Sequence, residues 1–249
     1  MTNTFYNDLT SSKAINKKKF AVLLDPDKVR MKQFDKILQN ATESGVDYFF
    51  IGGSLIVSDM LDSTLEKIKK VCHIPMVLFP GNSFQLSYKA DALLFLSLIS
   101  GRNPELLIGN HVVVAPYLKI SPLEIVPTGY ALIDGGVPTT VTYMSNTNPI
   151  PANKPDIAAS TALAGQFLGL KTIFLDAGSG AQNPVSTDII ETVSHTIEIP
   201  LIVGGGIKSP EKVMANLKAG ADLIVIGDIL EKEPGLLVEF ADVFKSFNT

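Results

Sequence analysis

The sequence has a single cysteine, Cys72, only three histidines and no long apolar run, and each shortage removes a class of function. A lone cysteine builds neither a disulfide framework nor a multi-cysteine metal site, and it fits a reducing compartment, so a cytoplasmic protein is expected. His73, His111 and His195 are scattered, without the ligand spacing of a zinc site, and read as structural or surface residues. The longest apolar runs, such as residues 92–96, fall far short of the roughly 18–20 residues that cross a bilayer, and no apolar signal core opens the chain. Peripheral membrane contact stays compatible with this, because a soluble enzyme acting on lipid needs only an apolar groove near its surface. A Gly-x-Ser-x-Gly elbow is also missing, and Cys72 has no evident base partner.

Basic charge is scarce as well. The chain carries 21 Lys and Arg against 25 Asp and Glu, a formal charge of -4, which argues against nucleic acid as a partner. Its only basic run, Lys17-Lys18-Lys19, reads as a solvated lead-in to the first strand. No Pro/Gly/Ser-rich linker divides the chain, so residues 1–249 are read as one domain. With 46% hydrophobic residues it affords one large core, and its 249 residues match the usual size of a (β/α)8 barrel.

What is there is a regular alternation. Short β-branched and aromatic runs are predicted as strands at residues 20–24, 47–51, 75–79, 92–96, 130–134, 172–175, 201–203 and 223–226, with residues 141–144 as a further part of the fifth strand region. Amphipathic or Ala-rich stretches between them predict helices at residues 31–44, 58–72, 103–109, 156–168, 187–195, 209–218 and 234–245, with Gly45 and Gly169 as stops. Eight strands alternating with helices give an α/β class and a single parallel eight-stranded (β/α)8 TIM barrel. An open doubly wound sheet is the weaker reading, since Asp25-Pro26-Asp27 stands where a Gly-rich turn would follow the first strand.

In such a barrel, chemistry collects on the loops after the strands. Ala177-Gly178-Ser179-Gly180 follows the sixth strand, Gly204-Gly205-Gly206 the seventh and Gly227-Asp228 the eighth. Glycines let backbone N–H groups approach an anion, and Ser209-Pro210 opens the next helix, so these neighbouring loops form a candidate phosphate site. Asp25 after the first strand and Ser54 after the second bring a carboxylate and a hydroxyl together. Such a pair suits a hard cation, Mg2+, completed by water and a second phosphate group. Two anions imply a two-substrate transfer. Asp176, at the end of the sixth strand, is placed to accept a hydrogen bond from a substrate hydroxyl and to act as general base. Asp134 reads as a loop cap. The stretch 84–98, with Phe84, Leu86, Tyr88, Leu93, Phe95 and Leu98, is a candidate lining for an apolar groove.

These residues resemble the geranylgeranylglyceryl phosphate synthase family, which includes the bacterial heptaprenylglyceryl phosphate synthases. The resemblance covers about residues 20–231 and is carried by Leu24-Asp25-Pro26-Asp27-Lys28, Ile51-Gly52-Gly53-Ser54, Leu78-Phe79-Pro80-Gly81-Asn82, Phe174-Leu175-Asp176-Ala177-Gly178-Ser179-Gly180 and Val203-Gly204-Gly205-Gly206-Ile207. It implies a barrel that uses Mg2+ to join a prenyl group from its diphosphate to sn-glycerol 1-phosphate, forming an ether bond and releasing diphosphate. The family's metal positions fall on Asp25 and Ser54. Its glycerol phosphate contacts fall on Phe174, Leu175, Asp176, Ala177, Gly178, Ser179 and Gly180, on Gly205 and Gly206, and on Gly227 and Asp228. Three departures lie near the acceptor or the metal motif. Phe174-Leu175-Asp176 replaces the family's Tyr-Leu-Glu, losing a phenol and one methylene. Asp228 stands for an Asn and brings a charge that repels phosphate unless it points away. Leu23-Leu24 lacks the Lys of the heptaprenyl branch, so the geranylgeranyl branch is the closer match. A homo-oligomer is expected. The rivals are a sugar-phosphate isomerase or aldolase, a flavin oxidoreductase and a non-catalytic phosphate-binding barrel.

Overall fold

The computed structural model describes residues 4–28, 32–57 and 60–249. Eight strands, β1 (Lys19–Leu24), β2 (Tyr48–Ile51), β3 (Met76–Leu78), β4 (Ala92–Leu98), β5 (Glu124–Leu132), β6 (Thr172–Asp176), β7 (Leu201–Gly204) and β8 (Leu223–Ile226), pair in sequence order into a closed barrel. All pairings are parallel, and β1 closes on β8 with Phe20 opposite Ile224. The strand sequences are almost continuously apolar because both faces are covered. Alternate residues divide between two cores: Ala21, Phe50, Leu94, Tyr130, Phe174 and Val225 fill the barrel, whereas Val22, Ile51, Leu175, Val203 and Ile224 pack outward against the helices.

The helices are α1 (Thr4–Ala14), α2 (Lys32–Ser44), α3 (Leu61–Val71), α4 (Asn110–Lys119), α5 (Thr140–Ser145), α6 (Pro155–Phe167), α7 (Thr187–Thr196), α8 (Pro210–Lys218), α9 (Asp228–Lys232) and α10 (Leu236–Phe247). A π-helical turn at Glu105–Gly109 leads into α4. Gly45 and Gly169 end α2 and α6 with φ of 76° and 91°, as expected of stops. The predicted helix starts at Met31 and Ser58 lie outside the described residues.

Three expectations change. Residues 141–144 belong to α5 and not to β5; their β-branched composition suits a strand, but β5 already has both neighbours and a closed barrel offers no edge. β5 begins six residues earlier than predicted, at Glu124, with Pro127 inside it. Between β3 and β4 the chain forms turns without a helix, in keeping with the absence of a predicted helix there. The basic run is not a solvated lead-in. Lys18 and Lys19 are buried, Lys18 Nζ 3.2 Å from Asp222 and Lys19 Nζ 2.9 Å from Asp8 and 3.1 Å from Asp47.

These charges belong to a plug at the N-terminal end of the barrel. Helix α1, absent from the sequence reading, puts Phe5 and Leu9 into the barrel core, Phe5 edge-on to Tyr48 at 4.8 Å. The buried Glu124 carboxylate accepts the Phe5 and Tyr6 N–H groups at 2.7 and 3.0 Å, capping the helix from a strand more than a hundred residues away. With that end closed, the opposite rim is where a ligand enters.

Candidate active site

Asp176 is the last residue of β6 and shares its inward face with Phe174. Parallel register sets Tyr130 of β5 opposite Phe174, one layer below Asp176, and the tyrosine reaches up to donate its hydroxyl to Asp176 Oδ2 at 2.6 Å. The Gly178 N–H donates to Oδ1 at 2.8 Å. Burial pushes the Asp176 carboxyl up from its ordinary value and the neighbouring Asp228 adds to this, while the Tyr130 and Gly178 hydrogen bonds pull it down without cancelling the rise. The buried carboxylate therefore takes up a proton more readily than an exposed aspartate does. Tyr130, raised by burial, stays a neutral donor. Neither motif nor spacing marks Tyr130; strand register alone brings its phenol to Asp176.

Of the acceptor residues predicted from the loops, Phe174 and Leu175 are buried, Phe174 within an aromatic cluster with Phe79 (5.1 Å) and Tyr130 (5.6 Å), and Leu175 in the outer core. They support the site from below. The loops themselves converge. Gly178, Gly180, Gly205 and Gly206 all have φ between 68° and 87°. At Gly205 a side chain is excluded twice, because its Cβ would also lie 2.3 Å from Asp176 Oδ1. Ser209 caps α8 by accepting the Lys212 N–H, as Ser209-Pro210 implied. Asp228, following Gly227 after β8, does not point away from the loop after β6. Its carboxylate accepts the Ser179 hydroxyl at 2.7 and 2.9 Å and the Gly180 N–H at 2.6 Å.

Across the rim, β1 and β2 set Asp25 beside the Gly52-Gly53-Ser54 turn: a Cβ on Gly53 would lie 3.9 Å from Asp25 Cγ and Oδ2. Asp25 Oδ1 accepts the Asp27 N–H at 3.0 Å, and Asp27 Oδ2 accepts the Val57 N–H at 2.8 Å, so the Asp-Pro-Asp turn braces the loop after β2. That loop is also locked to the one after β3. Buried Gln85 accepts N–H groups from Gly53 and Gly81 and donates to the Gly53 carbonyl at 2.8 Å. Gly52 and Gly81 must lack side chains, since a Cβ there would sit 2.0 Å from the Phe79 carbonyl oxygen and 2.3 Å from that of Gly53. Gln85, like Tyr130, is a site residue that the sequence reading did not single out. A carboxylate and a hydroxyl offer hard oxygen donors. Asp25 and Ser54 thus fit a Mg2+ that keeps other positions for water and phosphate oxygens.

Beside the loop after β2 opens a cavity of about 320 Å³, lined by Ser54, Leu86, Leu93, Phe95, Leu118 and Tyr130. It occupies the side of the barrel where the β3–β4 connection has no helix. Leu86, Leu93, Phe95 and Leu98 line it as expected, whereas Phe84, 93% exposed, and Tyr88 turn to solvent. His111, read as structural or superficial, also lines it, edge-on to Phe95 at 4.5 Å with Nε2 3.0 Å from Ser97 Oγ; burial lowers its pKa and keeps it neutral. Asp134 caps its own turn through the Gly136 N–H at 2.9 Å. Among the described residues no helix is long and apolar enough to cross a membrane.

Comparison with known proteins places this site in a family. The PcrB family model matches residues 13–244. The geranylgeranylglyceryl phosphate synthase of Chitinophaga pinensis is 53% identical over 242 residues, covering 97% of this chain and 96% of its own. That of Spirosoma linguale is 50% identical over 240 residues, 96% of each chain. Among solved structures, (S)-3-O-geranylgeranylglyceryl phosphate synthase from Thermoplasma acidophilum, in complex with sn-glycerol-1-phosphate, aligns with a TM-score of 0.91 at 32% identity, over 98% of this chain and 99% of that one. By sequence and architecture the chain belongs to the PcrB family, that of the geranylgeranylglyceryl phosphate synthases.

Proposed function

We propose that the protein transfers a prenyl group, geranylgeranyl by the names of its relatives, from its diphosphate to sn-glycerol 1-phosphate. The observation that carries this reading is the apolar cavity, whose lining includes both Ser54 on the cation side and Tyr130, the hydrogen-bond partner of Asp176. A prenyl tail lying in the cavity is shielded from water, with its diphosphate at the Asp25 and Ser54 loops and its first carbon toward Asp176. Mg2+ held there supplies charge neutralisation for the departing diphosphate. The glycine loops after β6 and β7 hold the acceptor phosphate through backbone N–H groups. Asp176 then orients the acceptor hydroxyl. As the allylic C–O bond to diphosphate breaks and the ether C–O bond forms, the hydroxyl proton passes to the Asp176 carboxylate, and diphosphate leaves with the electron pair of the broken bond. Tyr130 holds that carboxylate in place from the cavity side.

Exposed Ile108, Val112, Val113 and Tyr117 surround the same flank and support peripheral contact with the membrane from which a long prenyl substrate is drawn. A cytoplasmic homo-oligomer completes the reading. The test is product formation from sn-glycerol 1-phosphate, Mg2+ and prenyl diphosphates of increasing length, followed by mass analysis. The wild type is expected to give the ether product, and Asp25→Ala to lose at least about a hundredfold in rate even with excess Mg2+. Full activity in Asp25→Ala would sink the cation assignment.

A further inference from the structure

The loop after β6 is already holding an anion, and the anion is part of the chain. Asp228 comes from the next rim loop but one, yet its two oxygens take the Ser179 hydroxyl and the Gly180 N–H at 2.6–2.9 Å. Charge-assisted bonds of this length are the strong class. Ser179 and Gly180 are exposed and Asp228 is half-buried, so the contact lies on the open rim, within reach of an incoming ligand. A Cβ on Gly180 would meet nothing within 4 Å, leaving room beside these donors. A carboxylate presents two oxygens much as one edge of a phosphate does, and a single hydroxyl and a single N–H cannot serve both groups.

We propose that Asp228 is an internal competitor for the acceptor phosphate: it occupies the Ser179 and Gly180 donors in the empty enzyme, and an incoming phosphate must expel it. The proposal rests on the reading that the loop after β6 holds the acceptor phosphate. Two consequences distinguish it from a purely structural contact. Expelling the carboxylate imposes the same penalty on any phosphate ligand, so removing the charge strengthens inorganic phosphate and sn-glycerol 1-phosphate by one common factor. The penalty also holds the empty loop in its binding shape while keeping weakly bound anions out.

Calorimetric titration of the full-length protein with each of these two ligands, in the wild type, Asp228→Asn and Asp228→Ala, tests this, with thermal melting to establish that each variant is folded. The isosteric asparagine keeps the contact to Ser179 but removes the charge. Both dissociation constants are expected to fall at least about tenfold in Asp228→Asn, and their ratio to stay within about twofold of the wild-type ratio. Asp228→Ala, which removes the side chain altogether, is expected to move both constants in the same direction. Wild-type binding of sn-glycerol 1-phosphate with no gain, or with a loss, in both variants overturns the competitor role and leaves the acceptor reading standing. A gain for sn-glycerol 1-phosphate alone also overturns it, since that locates the effect at the glycerol. No binding of either ligand by any of the three proteins overturns the acceptor reading and the proposal with it.

Discussion

Asp176 is governed by three neighbours with opposing effects, and they give its titration a sign that can be measured. Burial raises its pKa, the hydrogen bonds from Tyr130 and the Gly178 N–H lower it, and Asp228 raises it further. If Asp176 must be deprotonated to accept the hydroxyl proton, kcat/KM rises with pH through the folded pKa, and the acid limb lies above the usual carboxylate range. Tyr130→Phe removes a bond to the charged form, so the limb is expected to move to higher pH; Asp228→Asn removes a like charge, so it moves lower. Asp176→Asn is expected to flatten the limb and to lower kcat/KM by about 10²–10⁴-fold. A pH profile of each variant checks all three, and an unmoved limb in Tyr130→Phe would show that the phenol does not tune the base. At this scale the sequence was half legible. Asp176 stands out because it ends a strand and precedes a glycine loop, whereas Tyr130 sits 46 residues away and meets it only through strand register.

Elements whose boundaries are set by their own residues were readable, and those set from a distance were not. Ser209-Pro210 announces α8 with a local cap and a preset φ, and Gly45 and Gly169 stop their helices by taking a left-handed conformation. Helix α1 carries no such signal. Its N-terminal N–H groups find their acceptor in Glu124, 119 residues along the chain. Replacing that carboxylate strands one buried and one part-buried donor, so Glu124→Ala is expected to destabilise the protein by about 2–3 kcal/mol. Hydrogen exchange should locate the loss in the first turn of α1, and protection unchanged there would remove Glu124 from the role of cap. The β3–β4 connection reads as a turn, but its role does not. Residues 79–91 contain Pro80 and Gly81 but nothing that says their turns brace a rim through Gln85 and leave the flank of the barrel open for a cavity.

Closure of the whole barrel depends on charges that the sequence displays as a surface run. Asp222, buried just before β8, receives Lys13 of α1 at 2.8 Å, Lys18 at 3.2 Å and the Leu201 N–H at 2.9 Å, tying the plug, the approach to β1 and the start of β7 to one carboxylate. Removing it leaves the buried Lys18 ammonium uncompensated. Asp222→Ala is expected to cost about 3–5 kcal/mol in urea unfolding, far more than loss of a surface pair, while Lys245→Ala at the exposed Asp242 pair costs under about 1 kcal/mol. Equal costs for the two would disprove the buried role.

The sequence by itself determined the eight-stranded barrel, the glycine loops at its rim and the strand-end placement of Asp25, Ser54 and Asp176, because alternation, turn chemistry and strand-end position are local properties. Only the tertiary structure decided that α1 seals one end, that the cavity opens beside β4, that Tyr130 holds Asp176 and that Asp228 lies on the glycine loop after β6. Those four depend on which distant residues the closed, parallel register brings within hydrogen-bonding or packing distance, and sequence spacing carries no record of that.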